Sequence, residues 1–413
     1  MTVDLRTDAD RHDALLRRRL DEVVPLAMDR ADLDAWVVTG REYAEGPVLR
    51  TMLPATWLSA RRRTVLVFRR GTSGVDRRAV SRYDVAGLFP AAWDPEAQPD
   101  QWARVIELVC EVDPGRIGIE TSSVLAHADG ITASEHEALV ASLPERLRGR
   151  LVPADVAATT WLETRIPDEV TAMREACSVA HGLLARALST EVVEPGVTTT
   201  TDVEWWLRQR VAAEGLGSWF HPSVRLQREG PSSVRFAAHP DDMVVERGDL
   251  VHIDFGVVSE GLCTDQQQHA YVLRDGETQA PADLVRALAT GNRLQDLLIG
   301  QFAVGRTGDQ LLRSTLERAS AEGIDARIYS HPLGLHGHGA GPAIGMWDQQ
   351  DGVPGTGALP VQPDTCWSIE LAVSVRVQGW SDPVMIMLEE DAFFDGERVD
   401  WLDGRQTSLH LIG

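Results

Sequence analysis

Apolar residues recur along the first part of the chain at two different spacings. Between about residues 11 and 30, Leu15, Leu16, Leu20, Val23, Val24 and Ala27 repeat at helical intervals among arginines and aspartates, which predicts an amphipathic helix. Two short apolar runs follow, Ala35–Thr39 and Thr64–Phe68, bounded by charged or glycine-containing stretches, and each predicts a strand. Arg116–Glu120 predicts another. Helix and strand signals alternate, so the first ~155 residues read as a small α/β domain. No G-x-G-x-x-G or P-loop pattern occurs there, so no nucleotide site is readable.

A boundary falls near Trp161–Ile166. Pro167-Asp168-Glu169 then opens a strong helix, because proline suits the first turn and acids suit the positive end of the helix dipole. Val170, Met173, Ala176, Ala180, Leu183 and Leu184 give this helix an apolar stripe to about residue 188, and a further helix is expected over Asp202–Glu214. From Leu250 onward strands dominate, separated by turn residues. There is no repeat of 20–50 residues and no low-complexity tract.

Length and composition narrow the reading. A chain of 413 residues exceeds one ordinary core, so two domains are expected. The absence of an apolar run of about 18 residues speaks against a transmembrane helix. The polar N-terminus lacks a signal-peptide core, and the expected location is the cytoplasm. Cys110, Cys177, Cys263 and Cys366 are scattered without a C-x-x-C pair, so they read as small buried residues rather than as disulfides or a zinc site. The net charge of −22 argues against nucleic acid or an anionic membrane as partner.

Chemistry enters with two hairpins. Gly248–Gly256 and Leu262–Leu273 read as strands around Ser259-Glu260-Gly261, a turn sequence. Asp254 and Asp265 lie symmetrically about that turn. Side chains alternate with period two, so without a bulge the two aspartates oppose each other on one face. The construction recurs with Trp367–Ala372 and Val384–Glu389, where Glu370 and Glu389 lie symmetrically about Gln378–Ser381. Paired carboxylates repel one another, by up to about 1 kcal/mol when exposed and more when buried. A hard divalent cation between them resolves the conflict. Hairpin geometry alone leaves the alternative open that these are exposed charges paired with Arg or Lys. The segment His331-Pro332-Leu333-Gly334-Leu335-His336-Gly337-His338-Gly339-Ala340-Gly341 adds three histidines among four glycines, which points to metal ligation or acid–base work. Spacing alone does not select which histidine binds metal.

Two aspartates eleven apart after a GDLVxIDFG-like strand, a glycine-flanked histidine and two glutamates on late strands, in that order, resemble the creatinase/aminopeptidase P/prolidase family. Pro167–Ala176 resembles the opening helix of its catalytic domain. The resemblance implies an α/β (α+β) chain with a creatinase-like N-terminal domain over residues 1–160 and a pita-bread catalytic domain over 161–413. It implies metal ligands at Asp254, Asp265, His338, Glu370 and Glu389. His338 is taken from the family's GHxxG pattern, with His336 as the alternative. It further implies two divalent ions, manganese foremost with cobalt, iron or zinc as alternatives, a small peptide or small-molecule substrate, and a homodimer. The implied reaction is cleavage of the peptide bond before proline, as in an Xaa-Pro dipeptidase or aminopeptidase, through a metal-bridging hydroxide. In it Glu370 takes the nucleophile's proton and His239 steadies the developing oxyanion.

Four departures set the chain apart. The family's second histidine, about seven residues beyond the ligand, is missing if His338 is that ligand, since residues 344–348 read Ile-Gly-Met-Trp-Asp. His331 or His336 then stands in from the other side. Met387 replaces the arginine that many members carry two residues before the last glutamate. Glu370-Leu371-Ala372-Val373-Ser374 replaces EPGIY, and Asp265-Gln266-Gln267-Gln268 replaces D-I/T-T-R. The alternatives are therefore another reaction at the same metal site (C–N hydrolysis or a lyase reaction on a small metabolite), a metal-independent creatinase-like hydrolase, or a binding protein on the same fold.

Overall fold

The protein is described from a computed structural model, over residues 4–72, 74–229 and 242–413. It divides into two compact units that meet in sequence at Thr164 and Arg165.

The N-terminal unit opens with α1 (Leu5–Arg30), capped by the Asp4 carboxylate, which accepts the backbone N–H of Arg6 at 3.2 Å. The expected stripe is the buried one, with Leu16, Leu20, Val23, Val24 and Ala27 inside. The sheet contains β1 (Ala35–Arg41), β2 (Arg63–Gly71), β3 (Gly74–Ser81), β4 (Ile117–Ile119) and β5 (Leu151–Pro153) in the order β3-β2-β1-β4-β5. β1, β2 and β3 pair antiparallel, whereas β4 and β5 run parallel to β1. Parallel neighbours need crossovers. These contain α2 (Pro47–Thr51), α3 (Gln101–Cys110), α4 (Ala133–Ser142) and α5 (Glu145–Arg148), and α6 (Asp155–Glu163) closes the unit. Val37, Val65 and Val67 pack with Trp102, Val105 and Ile106 in its core.

The second unit begins with α7 (Pro167–Ala187) and α8 (Thr200–Ala213). Its sheet contains β6 (Ser223–Gln227), β7 (Leu250–Phe255), β10 (Gln266–Val272), β11 (Asp325–Ile328), β12 (His331–Leu333), β13 (Thr365–Val375), β14 (Val384–Phe394), β15 (Val399–Trp401) and β16 (His410–Ile412), with β8 (Val258–Ser259) and β9 (Leu262–Cys263) as a small separate ribbon. The central path is β11-β13-β14-β10-β7-β6. Alternation decides what each face does. Val251, Ile253 and Phe255 of β7 pack with α7 and α8 residues such as Leu184 and Leu207. Ile369, Leu371 and Val373 of β13 and Ile386 and Leu388 of β14 pack with Leu288 of α9 (Ala282–Ile299) and Leu311 of α10 (Gly308–Ala321). Each such fully buried side chain contributes roughly 1.5–3 kcal/mol. The residues between them, His252, Asp254, Glu370 and Glu389, face the other way.

The two hairpins differ in register. In β13/β14, Glu370 is directly opposite Glu389, as the symmetry of the sequence predicts. In β7/β10, Asp254 is opposite Gln267, not Asp265. The turn is Glu260-Gly261, both with positive φ (53° and 81°), and Ser259 pairs with Leu262. Such a two-residue turn matches the strand twist and shifts the pairing by two residues. A shift of two preserves the face, so Asp265 remains on the side of Asp254.

Between β10 and β14 only Gln267 and Glu389 are in register. Beyond them side chains take over the backbone pairing. His269 Nε2 lies 2.9 Å from Met387 O and 3.0 Å from Met387 N, while Gln227 donates to Met385 O (2.7 Å) and accepts from Met385 N (2.8 Å). Among the described residues, no helix is long and apolar enough to cross a membrane.

One ion-pair staple gives a pH prediction. His181 of α7 binds Glu390 through Nε2 (2.6 Å) and Asp403 through Nδ1 (2.9 Å). Burial disfavours its charge, but the hydrogen bond and charge of Glu390, then those of Asp403, prevail and push its pKa up to about 9. A raised folded pKa stabilises fully below the ordinary histidine value and loses that contribution as pH rises through about 9. His181→Ala is expected to remove up to about 3 kcal/mol near pH 6 and to flatten the decline of stability between pH 7 and 9. Urea unfolding across that range checks it, and an equal slope in both proteins counts against the staple.

Candidate metal centre

The inner face of the second unit's sheet collects its acids from separate strands. β7 supplies Asp254, the residue before β10 supplies Asp265, and β13 and β14 supply Glu370 and Glu389. Three overlapping sets have ligand atoms within 4.8 Å of one another: Asp254, Asp265 and Glu389; His331, Glu370 and Glu389; and Asp265, His331 and His338. The four acids named from the hairpins therefore converge, and the histidine that joins them most closely is His331.

His331 opens β12, opposite Ser368 of β13, and is buried. Its Nδ1 lies 3.0 Å from its neighbour's carbonyl, Pro332 O, which places a proton on Nδ1. Nε2 then presents a lone pair to Asp265 Oδ2 (3.9 Å), Glu370 Oε2 (4.0 Å) and Glu389 Oε1 (3.9 Å). These separations are too long for hydrogen bonds. They suit donors that share a cation, as in the set of His331, Glu370 and Glu389, since metal–ligand distances near 2.0–2.2 Å leave ligands up to about 4 Å apart. Nε2 of His331, Oδ1 of Asp254 and Oδ1 of Asp265 have no hydrogen-bond partner. Buried polar atoms are seldom left so, and the oxygen and imidazole donors fit a divalent ion.

The electrostatics carry the same strain. Burial pushes Asp254 up to about 7, partly offset by the charge of Arg225, which pairs with His252 in the adjacent strand. Burial, then the neighbouring carboxylates, raises Asp265 and Glu370 well above the ordinary range. Glu389 is raised by burial and Asp254, against the hydrogen bonds from Ser368 and Gln267. Burial and the adjacent His338 push His331 down to about 3, so it stays neutral.

The three glutamines that stand in place of the family's D-I/T-T-R pattern tie this cluster to its surroundings. Gln266, Gln267 and Gln268 each donate to an acid. Gln266 Nε2 bonds Asp391 Oδ2 (2.8 Å) and Gln268 Nε2 bonds Glu390 Oε1 (2.9 Å). Gln267 Nε2 bonds both Glu370 Oε1 and Glu389 Oε2 at 2.6 Å, while its own Oε1 lies 2.9 Å from His252 Nε2. The oxygens that Gln267 engages are not those facing His331. Ser368 Oγ donates to Glu389 Oε1. The only sequence signal was the triple glutamine itself, in a strand buried on both faces. Tyr329 shares the wall, its hydroxyl held well above the usual value by burial and then by Glu370, Glu389 and Asp254.

His338 is exposed and sits edge-on between His331 and Trp219, with ring centroids 4.7 Å apart on each side. A Cβ on Gly337 would fall 2.4 Å from the Trp219 ring, so glycine is required for that packing. His336 belongs to none of the three sets, and its Nδ1 lies 3.3 Å from His338 O. His239 falls outside the described residues.

Residues 171–394, over half of the chain, match Metallopeptidase family M24. A Mycoplasma pneumoniae protein provisionally named an Xaa-Pro aminopeptidase is 21% identical over 174 residues, 42% of this chain and 48% of that protein. The match thus spans about half the length of that curated relative. Among solved structures, an X-Pro aminopeptidase from Thermotoga maritima superposes with a TM-score of 0.63 at 16% identity, covering 93% of this chain and 99% of that one. The dipeptidase PepE of Mycobacterium ulcerans gives 0.62 at 18% identity, covering 96% and 98%. At such identities the likeness is one of fold, and that fold is the pita-bread domain preceded by a smaller α/β domain. The chain belongs to metallopeptidase family M24.

Proposed function

We propose that this protein is a two-metal Xaa-Pro peptidase that acts on dipeptides or short peptides, with Asp254, Asp265, His331, Glu370 and Glu389 as ligands. The observation that carries the ligand set is the Nε2 of His331, without a hydrogen-bond partner, facing one oxygen each of Asp265, Glu370 and Glu389 at 3.9–4.0 Å. Taking His331 as the ligand also restores the family spacing, because His338 then stands seven residues beyond it. The names carried by the similar proteins support proline peptides as the first substrates to test.

Divalent ions held there acidify a water molecule and polarise a carbonyl. The chain's own groups do the rest. Glu370, at the open edge of the cluster with its side chain 15% exposed, accepts the nucleophile's proton and passes it to the leaving nitrogen. His338, exposed beside His331, hydrogen-bonds the substrate's peptide oxygen. Gln267 keeps both glutamates turned so that Glu370 Oε2 and Glu389 Oε1 face His331. Gln267→Ala is expected to lower metal affinity by about 10–100-fold without removing a ligand. Competition against a chelating indicator measures this, and an unchanged affinity argues against that role.

A second reading keeps the metals and changes the substrate to a small metabolite. Met387 favours it, because it puts a buried apolar side chain where many family members carry an arginine. One experiment separates the readings: metal content after manganese reloading, followed by turnover of a proline-dipeptide panel. Roughly one to two equivalents of metal with turnover supports the peptidase. The same metal with no turnover supports the second reading, and no stoichiometric metal removes both.

A further inference from the structure

Two rows of side chains run side by side across the site face of the second unit's sheet. In the first, Ser223, Asp254, Gln267, Glu389 and Glu370 pair in turn from β6 to β13. The second lies two residues away and pairs Arg225 with His252 and His252 with His269. His252 is buried, and its ring packs against that of His269 with centroids 4.9 Å apart. Its Nε2 reaches diagonally into the first row and lies 2.9 Å from Gln267 Oε1. Diagonal neighbours on a sheet are within reach of a long side chain. The amide fixes the direction of this bond. Gln267 Nε2 gives one hydrogen to Glu370 Oε1 and the other to Glu389 Oε2. Its oxygen is therefore the acceptor, and His252 donates from Nε2. Nδ1 of His252 has no hydrogen-bond partner among the described residues, which suits the ring nitrogen that carries no proton.

We propose that His252 is a positioning residue for the metal centre, holding the Gln267 amide in the orientation that serves Glu370 and Glu389 together. The role rests on the ligand set proposed above. An amide can turn over, exchanging its oxygen for its N–H groups. Turned over, Gln267 would aim its oxygen at two buried carboxylates, where acceptor meets acceptor. The glutamates would then lose the bonds that leave Glu370 Oε2 and Glu389 Oε1 facing His331. His252 blocks the turn, because its own N–H would meet the N–H groups of the amide. His269 supplies the surface on which the His252 ring rests. Its Nε2 is engaged by the backbone of Met387, 3.0 Å from N and 2.9 Å from O. A partner that orients a ligand in this way tunes metal affinity without touching the metal. His252 acts on the centre only through Gln267.

The test reads manganese affinity by competition against a chelating indicator. It compares the wild type, His252→Phe, His252→Gln, Gln267→Ala and the double variant His252→Phe with Gln267→Ala. Phenylalanine keeps a ring and removes the donor, so His252→Phe is expected to bind manganese about 10-fold more weakly. Glutamine returns an N–H donor to the place of Nε2, so His252→Gln is expected to recover most of that loss. The double variant is expected to bind as Gln267→Ala does, because His252 then has nothing left to position. A residue that only filled space would give losses that multiply. Wild-type affinity in His252→Phe, or losses that multiply in the double variant, overturns the role while the metal centre stands. No stoichiometric manganese in the wild type overturns the centre and the role together. A second measurement covers a phenylalanine variant that does not fold. Nitrogen resonances of isotopically labelled histidine in the wild type, assigned by the signal lost in His252→Gln, are expected to show Nε2 protonated and Nδ1 bare. The opposite tautomer overturns the proposal.

Discussion

Asp254→Asn is expected to destroy metal binding and turnover while making the metal-free protein more stable. The two effects have opposite signs for one reason. Asp254 sits on β7 with its Oδ1 lacking a hydrogen-bond partner, in a set with Asp265 and Glu389. Without a cation these carboxylates repel one another across a buried space, and burial raises Asp254 to about 7. A carboxyl whose folded pKa exceeds its ordinary 3.8 binds protons more tightly in the native state. Its stabilisation is present below pH 4, declines as pH rises to about 7 and is gone above that. Asparagine copies the neutral carboxyl at every pH. At pH 8 the metal-free variant should therefore exceed the wild type by about 2–4 kcal/mol in denaturant unfolding. The amide cannot serve as an anionic ligand, so metal affinity should fall by more than about 100-fold, beyond what loss of an outer-shell partner produces. With metal present the order of stabilities reverses, because only the wild type gains binding energy. A variant that is less stable than wild type without metal, or that retains the metal, would sink the account of Asp254 as a ligand kept at the expense of stability.

His331→Ala and His338→Ala are expected to fail in different ways. His331 aims a lone pair at three carboxylates from a buried strand position, so its loss should lower metal affinity by more than about 100-fold and remove activity with it. His338 is exposed and stacks on His331 from outside, so His338→Ala should keep the metal and lose turnover by about 100-fold. Elemental analysis and steady-state kinetics on the two variants decide this. Metal lost in His338→Ala and retained in His331→Ala would return the ligand to the glycine-flanked motif.

Much of this arrangement follows from the pattern of residues alone. Alternation of Val251, Ile253 and Phe255 with His252 and Asp254 determines which face of β7 is core and which is site, because side chains on a strand alternate with period two. The β13/β14 hairpin is symmetric about its loop, and its register, with Glu370 opposite Glu389, is the one the sequence predicts. The β7/β10 hairpin is not. There the positive φ of Glu260 and Gly261 moves the pairing by two residues, and the face of Asp265 survives only because the shift is even. Two features were decided by tertiary structure. Which histidine meets the carboxylates depends on His331 pairing with Ser368 across β12 and β13, a contact between segments far apart in the chain. Gln266, Gln267 and Gln268 find Asp391, Glu389 and Glu390 only because β10 and β14 meet at a single register point. Local periodicity decides the direction of a side chain, but which side chains then meet depends on pairing between distant strands, and motif spacing carries no record of that.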